Sequence, residues 1–272
     1  MAEVIEFRVP VGNGRTLLVL GVDAGASEHA LYLAFAAFGP LYSVKLQRNA
    51  PVAGPGYYAL VKFYSARDAK RAQCACNQKP LFQKSPLKVS MCTRQRAFPH
   101  QPLVLNSYKC RELANHYLGF NGWSSRIITL QNISGFEEVG NEEEEVRTSP
   151  RSQQSKYLCV QELTIPQYEI CTRGVGVAEL QVDPSQGFLV ATHSLQKLAV
   201  QRALSDAFQK ILLVVLENGK VAVEYSSPQD DPIDCLIEED LRGLIQVTDL
   251  SLSDLTCEGE EEILSDHSIE EG

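Results

Sequence analysis

Few side chains in this chain have the types and spacing that covalent chemistry requires. The five histidines are far apart, and none is spaced with an acidic residue as a metal-binding pair would be. The sequence has no glycine-rich turn ending in Lys-Ser or Lys-Thr, the pattern that holds phosphates in nucleotide hydrolases. The glutamate run at 142–145 has no interleaved histidine, so a two-metal nuclease is not indicated. The sequence therefore predicts a protein with no enzymatic activity, no cofactor and no metal.

The eight cysteines and the hydropathy pattern bear on where the protein works. Cys74 and Cys76 are two residues apart on a predicted helix, and the other cysteines are scattered without metal-binding spacing. We interpret them as reduced thiols. No apolar run approaches the ~20 residues that a membrane span needs, and the N-terminus lacks the basic-then-apolar pattern of a secretory signal. These features predict a protein of the nucleus and cytoplasm with no membrane partner.

Charge is distributed unevenly along the chain. Residues 1–100 carry 13 Lys and Arg against 5 Asp and Glu, a net charge of +8. Residues 101–229 carry 11 against 14, a net of −3, and residues 230–272 carry 1 against 15, a net of −14. A basic N-terminal half suits a phosphate-bearing partner, although a plain solvated basic surface has the same composition.

The N-terminal half alternates between strand and helix patterns. Alternating apolar and polar residues predict strands, and apolar residues at helical spacing followed by Gly39-Pro40 predict a helix that stops there. The predicted order is βαββαβ, in a domain over residues 14–93. Its elements are Thr16–Val22, Ser27–Phe38, Leu41–Arg48, Tyr57–Tyr64, Ala66–Asn77 and Leu87–Cys92.

This order, with the blocks TLLVLGV at 16–22 and GYYALVKF at 56–63, resembles the RNA recognition motif. The resemblance implies an open sheet face whose aromatics stack on bases. Of the three stacking positions, only Tyr58 is aromatic. There are two alternatives to base binding on this face. The apolar sheet could dock a partner protein, or another part of the chain could cover it. The predicted nucleic-acid-binding residues of this face are Leu18, Lys45, Tyr58, Leu60, Lys62 and Lys88.

The segment Lys109–Trp123, KCRELANHYLGFNGW, is the least generic part of the second half. Asn106 or Ser107 can cap a helix that ends at Gly119. The following FNGW predicts a tight turn between two large rings. Taken alone, Phe120 and Trp123 are interpreted as core residues.

This segment is similar to the conserved ELAN…FGYNGW run of the Rad fifty-two family of recombination mediators. The stretches RGVGV at 173–177 and QRALSDAFQKIL at 201–212 resemble that family's glycine-valine strand and its long basic helix. The resemblance implies a core that binds DNA around a ring of subunits, anneals single strands and needs no cofactor. It also implies DNA contacts for Arg94 and, through the helix, for Lys210.

The elements of the second half form a sheet and a long helix, in a domain over residues 94–226. Three strand patterns are followed by a helix beginning near Thr192 or Ser194. The resemblance implies that they form an antiparallel sheet with helices at both ends, so the whole chain is predicted to be α+β. Arg202 and Lys210 lie off the apolar stripe of that helix and are predicted to reach solvent or phosphate. Arg94 and Arg96, in the basic link between the two domains, are predicted to do the same.

The end of the long helix overlaps a hairpin pattern, in which Asn218-Gly219 separates two apolar runs. We expect the helix to end by Val215 and Val221–Tyr225 to form a strand. Residues 227–272 are predicted to be an acidic, largely disordered tail with a short helix around 237–245. We also consider that residues 249–272 compete with nucleic acid for the basic half, as a tethered phosphate mimic.

The sequence as a whole predicts a non-enzymatic protein that binds single-stranded DNA and RNA. The resemblance implies a role in recombinational DNA repair or the damage response, with a homo-oligomer and nuclear repair proteins as candidate partners. One alternative is a protein-interaction scaffold that uses a degenerate sheet, and another is a purely RNA-processing factor.

Overall fold

The computed structural model describes residues 2–11, 14–50, 55–92, 103–134, 153–182, 188–226 and 232–242. Its elements, in chain order, are β1 (Glu3–Glu6), β2 (Thr16–Val22), α1 (Glu28–Ala36), β3 (Leu41–Arg48), β4 (Tyr57–Phe63), α2 (Ala66–Cys76), β5 (Lys88–Met91), α3 (Ser107–Leu118), β6 (Ser124–Asn132), β7 (Gln153–Ile165), β8 (Ile170–Val182), α4 (Phe188–Gln209), β9 (Ile211–Val215), β10 (Val221–Tyr225), α5 (Pro232–Cys235) and α6 (Glu238–Arg242). None of the helices in these ranges is long and apolar enough to span a membrane.

The N-terminal module has the predicted βαββαβ order. Its four strands form an antiparallel sheet in the order β3-β4-β2-β5. Alternate residues of the strands are fully buried, because they pack on α1 and α2 through Leu31, Phe35, Ala69 and Ala72. The opposite face of the sheet carries only partly buried or exposed side chains. The sequence-based prediction of this fold is confirmed.

The second module is an antiparallel sheet in the order β6-β7-β8, preceded by α3 and followed by α4. The α3 helix begins as predicted, because the Asn106 side chain accepts the Lys109 N–H at 2.8 Å. It ends at Gly119, whose φ of +82° suits a residue without a Cβ. The α4 helix packs across one face of the sheet and buries Leu195, Ala199 and Ala203. The predicted α+β architecture is confirmed.

The two rings of the FNGW turn have different environments. The Trp123 indole donates to the Asn115 side chain at 2.9 Å and meets the Phe208 ring edge-on at 5.3 Å. Its interpretation as a core residue therefore holds. Phe120 is 83% exposed, so its interpretation as a core residue is wrong. The turn points this ring outward because Trp123 alone folds back onto the helix.

The first strand, β1, has no counterpart among the elements that the sequence predicts. It pairs antiparallel with β9, which also pairs with β10, so a segment from the start of the chain completes a sheet formed near its end. Ile5 and Phe7 are buried in the same core as Leu113 and Phe208. The Glu3 carboxylate accepts from the Ser65 hydroxyl and the Ala66 N–H, both at 2.6 Å, at the start of α2. The segment therefore joins the two modules.

The long helix begins earlier than predicted and ends within its predicted limit. It spans Phe188–Gln209, starting before the predicted cap and ending before Val215. Residues Ile211–Val215 form β9 instead, because their β-branched and leucine side chains pair with two neighbouring strands. The hairpin prediction is confirmed, with Gly219 at a φ of +80° in the turn.

Part of the predicted acidic tail is ordered. The short helices α5 and α6 pack on β8 and β6, where Ile233 and Leu241 contact Ile128 and Val160. The α6 helix lies within the short helix that was expected around 237–245, whereas α5 was not expected. An acidic side chain of each helix contacts a basic one, Glu238 with Arg126 and Asp234 with Lys210. The sequence favours a solvated acidic loop over 135–154, but β7 already begins at Gln153. The rest of that loop and the stretch 249–272 lie outside the described residues.

Candidate nucleic-acid interface

The open face of the N-terminal sheet brings its six predicted residues together in rows. One row crosses the strands as Lys45, Leu60, Leu18 and Ser90, through direct cross-strand pairing. The next row is Gln47, Tyr58, Leu20 and Lys88, and a third pairs Ser43, Lys62 and Thr16. The period-two alternation of strands places all of these side chains on one surface. The structure thus brings the predicted residues into one continuous patch.

Tyr58 lies in the middle of this patch. Its hydroxyl donates a hydrogen bond to the Gln47 side chain on the neighbouring strand, which orients the ring. The leucines Leu18, Leu20 and Leu60 are partly buried and surround it. An aromatic ring held on an apolar surface can stack on a base, because every base offers a π-face.

The electrostatics of the patch favour anions. Lys45 and Lys88 are exposed at opposite sides of the sheet, whereas Lys62 lies 5.2 Å from the centre of the Tyr42 ring. Neither Asp nor Glu occupies any position in the three rows. An array of lysines beside an apolar surface can neutralise the phosphates of a strand whose bases contact that surface.

Arg202 and Lys210 do not join this patch. The Arg202 guanidinium is exposed and donates to the Val177 carbonyl at 2.6 Å, beside the edge of β8. Lys210 is 8% exposed, and its ammonium donates to the Arg173 carbonyl and to Asp234. The prediction that Lys210 reaches solvent is wrong, because α4 ends at Gln209 and the side chain turns inward over β8.

Side chains from α4 and α5 satisfy the backbone groups along the edge of β8. Asp206 accepts from the Val175 N–H at 3.0 Å, and Asp234 accepts from the Arg173 N–H at 2.7 Å. Arg202 and Lys210 occupy the carbonyls of the same strand. These contacts close an edge that would otherwise accept another strand.

Arg94 and Arg96 lie outside the described residues, so their predicted contacts stay predictions. Sequence reasoning missed an ionic cluster on the outer face of the second sheet. Its members are Arg126, Glu162 and Arg173, on three adjacent strands. Its signal in the sequence was one charged residue on each of three adjacent strands, and its members became neighbours only through strand register.

The described cysteines are free thiols, and no group of three His, Cys, Asp or Glu within the described ranges could hold a metal ion. Burial raises the pKa of the Cys110 and Cys159 thiols to about 12. Both side chains are fully buried, so these thiols stay protonated at neutral pH and are inert. Neither contributes to the candidate interface.

Two family models match the chain, one in each module. The model described as RNA recognition motif matches residues 17–86, and the model described as RDM1 DSRM domain matches residues 105–212. Among solved structures, the RRM3 domain of Mip6 covers 30% of this chain and 98% of its own, at 23% identity and a TM-score of 0.27. A solved Sex-lethal protein–RNA complex covers 32% of this chain and 50% of its own, at 29% identity and a TM-score of 0.26.

Curated relatives match over the full length of the chain. RAD52 motif-containing protein 1 from Gallus gallus is 56% identical over 275 residues, covering 100% of this chain and 96% of the relative. The human protein of the same name is 50% identical over 280 residues, covering 100% of this chain and 97% of its own. The RNA recognition motif that the sequence suggested for the first module is confirmed by its family model, and the relatives of the whole chain carry the RAD52 motif in their name. The chain belongs to the family of RAD52 motif-containing protein 1.

Proposed function

We propose that this protein binds nucleic acid through the open face of its N-terminal sheet, without catalysing a reaction. The observation that supports this most directly is the patch around Tyr58, which combines one oriented ring, three leucines and three lysines with no carboxylate. Stacking and phosphate neutralisation are the two interactions that such a surface offers.

The proposed ligand is a single strand of DNA or RNA. An unpaired strand exposes base faces to Tyr58 and the leucines, whereas a duplex hides them. The relatives carry the RAD52 motif in their name, and this supports a role in recombinational DNA repair or the damage response. We propose the nucleus and cytoplasm as the place of that role. A homo-oligomer and nuclear repair proteins are the partners that we propose with it.

The Tyr58→Ala variant tests the stacking role. Losing the ring should raise the Kd for a labelled oligothymidylate about 5- to 150-fold, because stacking on one base contributes ~1–3 kcal/mol. Fluorescence anisotropy measures this at low salt, with RNA, single-stranded DNA and a duplex as competitors. The matched control is Tyr32→Ala on α1, a tyrosine 39% exposed away from the sheet face. Equal affinities of the two variants for the oligonucleotide would contradict the proposal.

The lysines provide a second, independent measurement. Replacing Lys45 and Lys88 by Gln should lower the slope of log affinity against log salt by about 0.7 for each phosphate of a single strand that the variant no longer neutralises. A slope equal to that of the wild-type protein would exclude these lysines from the interface.

A protein-docking scaffold is the second candidate, and the three leucines of the open face favour it. Such a scaffold would show little oligonucleotide binding, and therefore no salt dependence to measure. A purely RNA-processing factor would bind RNA in preference to single-stranded DNA, which the competition experiment reveals.

A further inference from the structure

The outer face of the second sheet, opposite α4, carries a cluster of basic side chains. Arg126 on β6 and Arg173 on β8 both hold the Glu162 carboxylate on β7, with N–O distances of 2.8 and 3.2 Å. Lys210 joins them at the edge of β8 through the Arg173 carbonyl. We call these three cations, with Glu162 between them, the basic cluster of the second sheet.

The segment 232–242, which contains α5 and α6, covers this cluster with carboxylates. Asp234 accepts from the Arg173 N–H at 2.7 Å, from the Tyr225 hydroxyl at 2.7 Å, and from Lys210 at 3.3 Å. Glu238 accepts from the Arg126 guanidinium. Each cation of the cluster thus contacts the segment, which supplies the anions.

The donors around Asp234 are of the kind that bind phosphate. A backbone N–H, an ammonium and a phenol converge on one carboxylate, and an arginine fork lies at each end of the cluster. Charge-assisted hydrogen bonds of this kind hold phosphate oxygens as readily as carboxylate oxygens. In the described part of the chain outside the segment, the Glu162 carboxylate pairs with Arg126 and Arg173, so displacing the segment removes Asp234 and Glu238 and leaves the cluster more positive.

Few apolar contacts attach the segment to the second sheet. Among the residues described, the segment makes apolar contact with the sheet through two side chains, Ile233 and Leu241, which pack on Ile128 and Val160. Leu236 and Ile237 are 41% and 65% exposed. The two helices have four and five residues, too short to persist without their contacts. Attachment that depends on ion pairs weakens with salt and yields to a competing polyanion.

We propose that residues 232–242 occupy a second nucleic-acid phosphate site, formed by Arg126, Arg173 and Lys210, and that they compete with the strand for it. The segment then lowers the apparent affinity of the intact protein, because the site accepts phosphate only while the segment is displaced. This inference rests on the proposed function, since it gives the protein a second site for the phosphates of a nucleic-acid strand.

The Asp234→Asn, Glu238→Gln double variant tests the competition in the full chain. It removes two carboxylate charges with little change in shape, so it weakens the segment and leaves the cations in place. The affinity for a labelled 30-nucleotide oligothymidylate in 50 mM salt should rise about tenfold, in proportion to the fraction of open sites. The log–log salt slope should steepen by about 0.7 for each additional phosphate that the protein neutralises.

The matched control is the Glu179→Gln, Glu239→Gln double variant, which changes the net charge equally outside the cluster. Glu239 lies on α6 but is exposed, and Glu179 pairs with Lys156 on the neighbouring strand. Equal rises in affinity for both double variants would overturn the proposal and leave a general charge effect. If the wild-type protein binds the oligonucleotide and the Asp234→Asn, Glu238→Gln variant binds it no more tightly, the proposal of a covered site is overturned. The proposed function at the Tyr58 face would still stand.

Binding only by the Asp234→Asn, Glu238→Gln variant would support the covered site and overturn the proposed function at the Tyr58 face.

Hydrogen exchange on the wild-type protein provides a test that does not require any variant to fold. Saturating oligonucleotide should speed amide exchange in peptides spanning 232–242, because the strand displaces the segment. Unchanged or slower exchange there would show that the segment stays in place, against the proposal.

Discussion

Two glycines on β8 determine how closely the long helix approaches the second sheet. A Cβ on Gly174 would lie 2.1 Å from the Ala203 carbonyl oxygen, and one on Gly176 would lie 2.1 Å from that of Ala199. Both contacts are with helix backbone, which cannot move aside as a flexible side chain could. The RGVGV pattern in the sequence therefore has a packing reason, which is that α4 lies directly on the strand.

Gly176→Ala should destabilise the second module by about 1–3 kcal/mol or more, because the added methyl separates helix from strand. Urea unfolding followed by Trp123 fluorescence measures the change, since Trp123 is the only tryptophan and packs on Phe208. Gly25→Ala is the control, because a Cβ there meets nothing within 4 Å. Equal midpoints for the two variants would contradict the close-packing account.

The residues of the Tyr58 patch could be predicted from the sequence because strand alternation is local. Leu17 and Val19 are buried while Leu18 is not, so a pattern of period two suffices to sort them. The position of Lys210 could not be predicted in this way. Its side chain direction depends on where α4 ends, and a five-residue apolar run fits a helix as well as a strand.

At the scale of elements, the edge of β8 decides what the second sheet can pair with. An edge strand presents free N–H and C=O groups to any other strand, and proteins commonly block such edges with charged side chains. Here Asp206 and Arg202, one helical turn apart on α4, bind the N–H of Val175 and the carbonyl of Val177. The α4 helix therefore supports the sheet and also closes its edge.

The Arg202→Ala, Asp206→Ala double variant should associate at lower concentration than the wild-type protein, because two backbone groups of the edge strand become available. Light scattering across a concentration series measures the change in average mass. Lys197→Ala with Glu239→Ala makes the same charge change at a distance from this edge. Should the two double variants have the same mass at every concentration, edge closure does not limit self-association.

Elements defined by local pattern were predicted correctly, and elements defined by distant pairing were not. The four strands and two helices of the N-terminal module follow from alternation and capping residues. The EVIE strand at 3–6 is short and not distinctive by itself, and only its pairing with β9 makes it a strand. The α5 helix was likewise not predicted, because it depends on Arg173, which no local pattern relates to it, whereas α6 lies within the short helix expected around 237–245.

At the scale of the whole molecule, the first residues of the chain hold two modules together. Phe7 is 1% exposed and stacks on Phe208 of α4 with ring centres 4.7 Å apart. Glu3 caps α2 of the other module, and Arg67 on α2 donates to the Leu216 carbonyl after β9 at 3.1 Å. Because residues 3–7 contact both modules, we expect the stability of one module to depend on the other.

Phe7→Ala should therefore lower the stability of a module that begins about a hundred residues later in the chain. Truncating a fully buried phenylalanine costs about 3–5 kcal/mol, and the deleted ring contacts Phe208, against which Trp123 also packs. The urea midpoint reported by Trp123 fluorescence should fall by the corresponding amount. Val4→Ala, at a neighbouring position that is 45% exposed, should leave the midpoint nearly unchanged. A Phe7→Ala midpoint equal to that of Val4→Ala would mean that the second module folds without the N-terminal segment, and that the join between the modules is only a surface contact.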